Sequence, residues 1–280
     1  MIPVDFDYYK PESIEEAARL HEQLDRQKML PLYYSGGTEI ITLLRLDLIQ
    51  TKAVIDIKAI HECREHILGE DYLVLGSSLT LTQIEERNAF PLLTSVSKEI
   101  ADHTARNKIT LGGNICGEIF YREAVLPLLL TDSLFVIGGP QGVKILPAHE
   151  AFQQTMQLGR GEFLIQTLTR KDFLGMPYMS VKIRQQWETG YPLVTIAALK
   201  AKGEIRAAFS GLCSFPFRSK RMEDELNRKD GTLDVRMDRA LRHIPAPVLN
   251  DIEGSAEYRL FVLKNTLTDI LTVWEVEQNA

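Results

Sequence analysis

Two glycine pairs, each bracketed by hydroxyl or amide side chains, constrain this chain more than any other feature. The first stands in Tyr33-Tyr34-Ser35-Gly36-Gly37-Thr38-Glu39-Ile40 and the second in Thr110-Leu111-Gly112-Gly113-Asn114, about 76 residues further on. Adjacent glycines let a backbone turn sharply and let another group approach without a Cβ in the way. Their successive N–H groups form a concave nest for an anion, and a threonine hydroxyl with an asparagine amide suits phosphate oxygens. Either pair alone reads as an ordinary turn. The two together point to a phosphate-bearing ligand. A third pair, Gly138-Gly139, runs into Pro140 and reads as turn punctuation between two strands at 134–137 and 143–146.

The flanking pattern supports this. A short apolar run over 29–34 predicts a buried strand, and 38–44 predicts a helix. The first pair then falls at a strand-to-helix junction, where oriented amides and the helix dipole favour an anion. Upstream, Ser13 and Glu16 form a capping box for a helix with Ile14, Ala17, Ala18 and Leu24 on one face. Strands are expected at 53–57, 72–75 and 162–169, and helices at 83–88 (capped by Thr82 and Glu85) and 92–101. Pro127 lies inside the apolar stretch 123–130, so a helix there starts late or bends. Gly175 and Pro177 mark a boundary near 171–177. Beyond it come three strands, 178–184, 193–200 and 204–210, the last two joined by Ala201-Lys202-Gly203. Three helices, 219–227, 233–243 and 256–276, complete an α+β C-terminal unit.

Composition narrows the function classes. A chain of 280 residues suggests about two domains. The net charge of −6 and the absence of a Lys/Arg block argue against a nucleic-acid partner. No apolar run reaches the length of a membrane span, and the opening Met1-Ile2-Pro3-Val4-Asp5 does not read as a secretory signal. Cys63, Cys116 and Cys213 are far apart and give no metal-ligand spacing; they read as reduced thiols in a cytoplasmic protein. The six histidines are scattered. His61 and His66 read as a solvated loop, and His103 lies near the second glycine pair.

Five stretches together resemble one family. Ser35-Gly36-Gly37-Thr38-Glu39-Ile40 is similar to its AGGTDL loop, and Arg106-Asn107 with Thr110-Leu111-Gly112-Gly113-Asn114 to its RNxGTxGGN loop. Gly161-Glu162-Phe163-Leu164, Phe215-Pro216-Phe217-Arg218 and Ser255-Ala256-Glu257-Tyr258-Arg259 resemble its GE-apolar-leucine strand, its PxR turn and the opening of its last helix. The family is the FAD-binding (medium) subunit of molybdenum hydroxylases, the xanthine dehydrogenase and aerobic carbon monoxide dehydrogenase type.

The resemblance implies an α+β chain: a vanillyl-alcohol-oxidase (PCMH)-type FAD-binding domain of two α/β subdomains (1–57 and 58–172) plus a small C-terminal domain (173–280) with a three-stranded sheet and helices. It implies FAD as cofactor, with both glycine loops, Tyr33 to Ile40 and Thr110 to Asn114, around the pyrophosphate. It also implies Ile100, Leu164 and Lys182 near the flavin ring. It implies no catalytic side chain and no metal ligand here. The chain would be an electron-transfer oxidoreductase subunit, taking electrons from [2Fe–2S] clusters on a small subunit, beside a molybdopterin large subunit. The acceptor would be NAD, oxygen or a quinone, in a hetero-oligomer such as a dimer of heterotrimers. One segment departs from the family. Where it has Ser-Pro-x-x-Asp, this chain has Ile119-Phe120-Tyr121-Arg122-Glu123. Glu123 can replace the aspartate toward a ribityl hydroxyl, and Arg122 can pair with a phosphate; alternatively Tyr121 and Arg122 face solvent or a partner. If the change abolishes FAD binding, the chain is a non-catalytic assembly subunit.

Overall fold

The computed structural model of the chain describes residues 2–185 and 190–279. The first subdomain contains β1 (Asp7–Tyr9), α1 (Ile14–Arg26), β2 (Leu32–Tyr34), α2 (Thr38–Arg45) and β3 (Ala53–Asp56). Its three strands run parallel in the order β1-β3-β2. Ser13 caps α1 as expected, accepting from the Glu16 N–H at 3.1 Å; the Glu16 carboxylate returns to the N–H of Glu12 rather than that of Ser13. Ala17, Ala18, His21 and Leu24 form the buried face of α1.

The second subdomain begins with β4 (His66–Leu68) and β5 (Tyr72–Gly76). Five short helices follow: α3 (Leu81–Arg87), α4 (Pro91–Lys98), α5 (His103–Arg106), α6 (Leu111–Cys116) and α7 (Val125–Leu130). Then come β6 (Leu134–Gly139), β7 (Gly142–Pro147), α8 (Ala148–Ala151), β8 (Phe152–Gln153), β9 (Thr155–Met156) and β10 (Phe163–Arg170). Its main sheet is antiparallel in the order β4-β5-β10-β6-β7. The third glycine pair closes β6 into a hairpin through Pro140-Gln141, with Gly142 at φ +98°. Pro127 is the third residue of α7, inside the first turn, where its missing N–H costs nothing. The cap of α3 differs from the expected one. Thr80 and Gln83, not Thr82 and Glu85, form the reciprocal pair, at 3.2 and 2.9 Å. Leu81 and Thr82 are drawn into the interior, so the helix starts earlier, and Glu85 instead meets Arg106.

The C-terminal unit holds β11 (Tyr178–Arg184), β12 (Pro192–Ala201), β13 (Glu204–Ser210), β14 (Phe217–Arg218), α9 (Lys220–Leu226), α10 (Leu233–Leu241) and α11 (Ala256–Asn279). Its sheet has four strands, β11-β12-β13-β14, where the sequence pattern showed three. The added strand is two residues long, too short to carry an alternation of its own. β12 is buried on both faces. Ala197, Leu199 and Ala201 join the core of the second subdomain, while Ile196 and Ala198 pack with Phe209 against the C-terminal helices. The break at 171–177 therefore divides the sequence but not the hydrophobic core.

Candidate functional site

A cleft of about 300 Å³ lies between the two N-terminal subdomains. Every residue from Tyr33 to Ile40 lines it, and so do Thr110, Gly112, Gly113 and Leu164. The sequence-expected residues Ile100, Leu111, Asn114, Glu123 and Lys182 stand outside that lining. Ile100 and Leu111 belong to the core of the second subdomain, and the Asn114 Oδ1 accepts from the Ala124 N–H at 3.0 Å.

The two glycine pairs come together by close backbone contact. A Cβ on Gly36 would sit 1.9 Å from the carbonyl oxygen of Lys108, just ahead of the second pair. Gly37 has φ +75° and precedes α2, whose N-cap has no side-chain hydrogen bond. Among the described residues none accepts from the N–H of Gly36 or Gly37. The second pair is built differently. It lies inside the first turn of α6, capped by Thr110, rather than in an open loop. The N–H groups of Leu111, Gly112 and Asn114 donate to the carbonyls of Leu79, Ser77 and Thr110 at 2.8–2.9 Å, and that of Gly113 to Thr110 Oγ1 at 3.2 Å. Its glycines serve close packing: a Cβ on Gly112 would lie 2.7 Å from that of Ser77.

Several lining residues escaped the sequence reading. Ser77 is 1% exposed and lines the cleft, and its hydroxyl lies against the Cys63 thiol, partly opposing the upward push that burial gives that thiol. The only signal was its place in the Gly76-Ser77-Ser78 turn after a strand. Phe163, Leu158 and Ile57 supply apolar wall. The charged residues of the lining are all acidic: Glu39, Glu118 and Glu162. Glu39 Oε1 accepts from the Ile119 N–H at 2.8 Å, so it ties α2 to the segment after α6. Burial pushes the Glu162 carboxyl up, but Lys144 and the Gly159 N–H outweigh it and hold it below the usual range. Burial also pushes the Tyr33 and Tyr34 phenols up, so both stay neutral.

The segment that departs from the family motif is folded inward. Arg122, at φ +33°, donates to the carbonyls of Gly117, Gln154 and Glu118 at 2.6, 3.0 and 3.3 Å. Tyr121 stacks between Phe120 and Tyr191. Both residues are buried, so neither faces solvent. The burial of Arg122 is compensated by these three carbonyls, which its guanidinium satisfies at once. Glu123 and Lys182 meet each other. The Glu123 carboxylate accepts from Lys182 Nζ at 2.8 Å and from Thr195 Oγ1 at 2.6 Å, with side chains 5% and 2% exposed for Glu123 and Lys182. Burial pulls the Lys182 ammonium below the usual lysine range even with Glu123 beside it. His103 opens α5 outside the cleft lining, and His61 pairs with Glu65 at 3.4 Å on the surface. His66 is half-buried rather than solvated, and both its ring nitrogens lack a partner among the described residues. Among those residues no group of His, Cys, Asp and Glu could hold a metal ion, and no helix is long and apolar enough to cross a membrane.

Comparison with known proteins agrees with this geometry. A family model described as "FAD binding domain in molybdopterin dehydrogenase" matches residues 4–167. The carbon monoxide dehydrogenase medium chain of Hydrogenophaga pseudoflava is 26% identical over 275 residues, 92% of this chain and 93% of that one. The xanthine dehydrogenase FAD-binding subunit of Escherichia coli O157:H7 is 30% identical over 147 residues, 51% of this chain and about half (49%) of that one. In structure, a carbon monoxide dehydrogenase from Hydrogenophaga pseudoflava matches with a TM-score of 0.86 at 24% identity over 96% of both chains. Quinoline 2-oxidoreductase from Pseudomonas putida 86 matches at 0.83 with 20% identity over 97% of both. The fold is thus shared across sequences that have diverged widely.

Proposed function

Because the chain belongs to the family of FAD-binding domains in molybdopterin dehydrogenases, we propose that it is the flavin-bearing electron-transfer subunit of a molybdenum hydroxylase. In this reading the complex's [2Fe–2S] clusters sit on a small partner subunit and its molybdopterin on a large one. Electrons arrive from the clusters and leave to NAD, oxygen or a quinone. The observation that carries the proposal is the cleft at the first glycine pair, with its uncommitted amides and uncapped helix.

These features fit the pyrophosphate of FAD. The N–H groups of Gly36 and Gly37 and the first turn of α2 offer donors and a favourable dipole to an anion. Ser77 adds a buried hydroxyl to the wall. Thr110, Gly112 and Gly113 supply a wall that comes close because it lacks side chains. Leu164, Phe163 and Leu158 exclude water from the apolar parts of the ligand. Glu123 and Lys182, paired with each other, support the 117–123 segment instead of contacting the cofactor, and Ile100 belongs to the core of the second subdomain. FAD, once bound, exchanges electrons singly or in pairs, which matches one-electron clusters to two-electron acceptors.

The test is titration of the purified chain with FAD, read by absorption near ~450 nm where flavins absorb. The expected outcome is saturation at about one FAD per chain. A chain that binds none, alone or in its assembled complex, would instead be a non-catalytic assembly subunit.

A further inference from the structure

The cleft has no lysine or arginine in its lining, although its proposed ligand is a dianion. Lys58, just after β3, contacts the two residues that lead into the first glycine pair. Its Nζ donates to the carbonyl oxygen of Ser35 at 2.7 Å and to Asp56 Oδ2 at 2.8 Å, and lies 4.5 Å from the centre of the Tyr34 ring. Asp56 is itself fixed, accepting from the Lys58 N–H at 2.9 Å and from the Tyr8 hydroxyl of β1. The ammonium is therefore held on three sides by a carboxylate, a carbonyl and an aromatic face.

A trans peptide points its C=O and the following N–H in opposite directions. Lys58 holds the Ser35 oxygen from outside the cleft lining, so the Gly36 N–H is turned the other way, where Gly36 lines the cleft. The clamp matters because the Ser35–Gly36 peptide has no Cβ on its glycine side to fix its orientation. Flipped, it would present a carbonyl oxygen to the phosphate in place of a donor. The same ammonium sits over the Tyr34 ring, and that ring covers Gly37 closely enough that a Cβ there would meet its hydroxyl at 2.4 Å. One side chain thus governs both residues of the first pair.

We propose that Lys58 is a positioning residue for the cofactor: it locks the Ser35–Gly36 peptide with its N–H toward the pyrophosphate. The inference rests on the reading of the cleft as an FAD site. It is tested by FAD titration of the wild-type chain, Lys58→Met and Lys58→Arg, with thermal unfolding of each apo chain alongside. Lys58→Met is expected to raise the FAD dissociation constant roughly ten- to a hundred-fold, the range for one lost charge-assisted hydrogen bond. Because it also leaves the buried Asp56 carboxylate without its cation, the comparison is repeated in an Asp56→Asn background, where Lys58→Met is expected to lower affinity by the same factor with little further change in unfolding temperature. Lys58→Arg is expected to restore most of the affinity. Unaltered affinity in Lys58→Met overturns the inference, as does a loss of affinity that tracks a fall in unfolding temperature in both variants. A wild-type chain that binds no FAD overturns the reading of the cleft instead, and the two failures are told apart by the wild-type titration.

Discussion

Gly36-Gly37 and Gly112-Gly113 meet at one cleft, yet one pair is left open and the other is closed. The first keeps its N–H groups free, adopts a left-handed turn at Gly37 and is held from behind by Lys58. The second spends the amides of residues 111–114 on the chain's own oxygens, and its glycines serve to bring α6 against Ser77. The same dipeptide therefore supplies donors in one place and proximity in the other. Ligand binding should respond to changes at the first pair and folding to changes around the second.

The largest effect is expected on the folding side. The segment after the second pair is anchored by the buried Glu123–Lys182 pair, which joins the second subdomain to β11 and β12. Lys182→Met leaves Glu123 charged and buried with Thr195 alone, and should cost about 3–5 kcal/mol. Chemical denaturation would read this loss. The double variant Glu123→Leu/Lys182→Met should recover much of it, because two apolar groups leave no orphaned charge. A double variant no more stable than Lys182→Met would show that the pair is not what anchors this side.

The glycines themselves sharpen the contrast. In Gly36→Ala the new Cβ falls on a backbone oxygen that cannot swing aside. The loop must retreat from Lys108, at an overpacking cost of about 1–3 kcal/mol, and FAD affinity should fall by at least tenfold as the amides move. Gly112→Ala meets Ser77 at 2.7 Å but lies within a helix, where alanine is intrinsically favoured by about 1 kcal/mol. It should lower the unfolding temperature by a few degrees and affect FAD affinity far less than Gly36→Ala. Equal losses of FAD affinity in the two variants would erase the distinction drawn between the pairs.

Much of this arrangement could be read in the residues. The β2-to-α2 junction, the Ser13 cap, the β6–β7 hairpin and the C-terminal order of strands and helices follow from local pattern. The convergence of residues 33–40 with Thr110 and the Gly112-Gly113 pair is implied by the family resemblance rather than by local pattern. What escaped depended on distant partners. Nothing local announces that the amides of Leu111 and Gly112 will be consumed, since Leu79 and Ser77 lie more than thirty positions earlier. Lys58 becomes a clamp only because parallel pairing of β2 with β3 sets Tyr34 opposite Asp56. Glu123 and Lys182 each looked like a ligand when taken singly. The fold paired them, because a buried carboxylate and a buried ammonium are costly apart. The cap of α3 shifted to Thr80 because the core claimed Thr82.

The smallest predicted effect is pH-dependent and belongs to the first side of the cleft. His21 of α1 stacks on Tyr33, the residue that leads β2 toward the first glycine pair, at a ring separation of 5.1 Å. Burial holds its imidazole below the ordinary value of 6.5, against a smaller opposing pull from Asp25. The unfolded chain then binds this proton more readily than the folded one, so stability rises with pH across the interval from the folded value up to 6.5. Stability is therefore complete above 6.5 and is lost as the pH falls through that interval. His66, also held low by burial, contributes in the same direction from β4. His21→Phe keeps a ring on Tyr33 and removes the proton site. It should flatten part of the acid-side loss while leaving the His66 share in place. Denaturation curves at pH 7.5 and pH 5.5 would show it: the stability difference between the two pH values should be smaller in His21→Phe than in the wild-type chain. An unchanged difference would mean that the support of β2 carries no proton-linked strain.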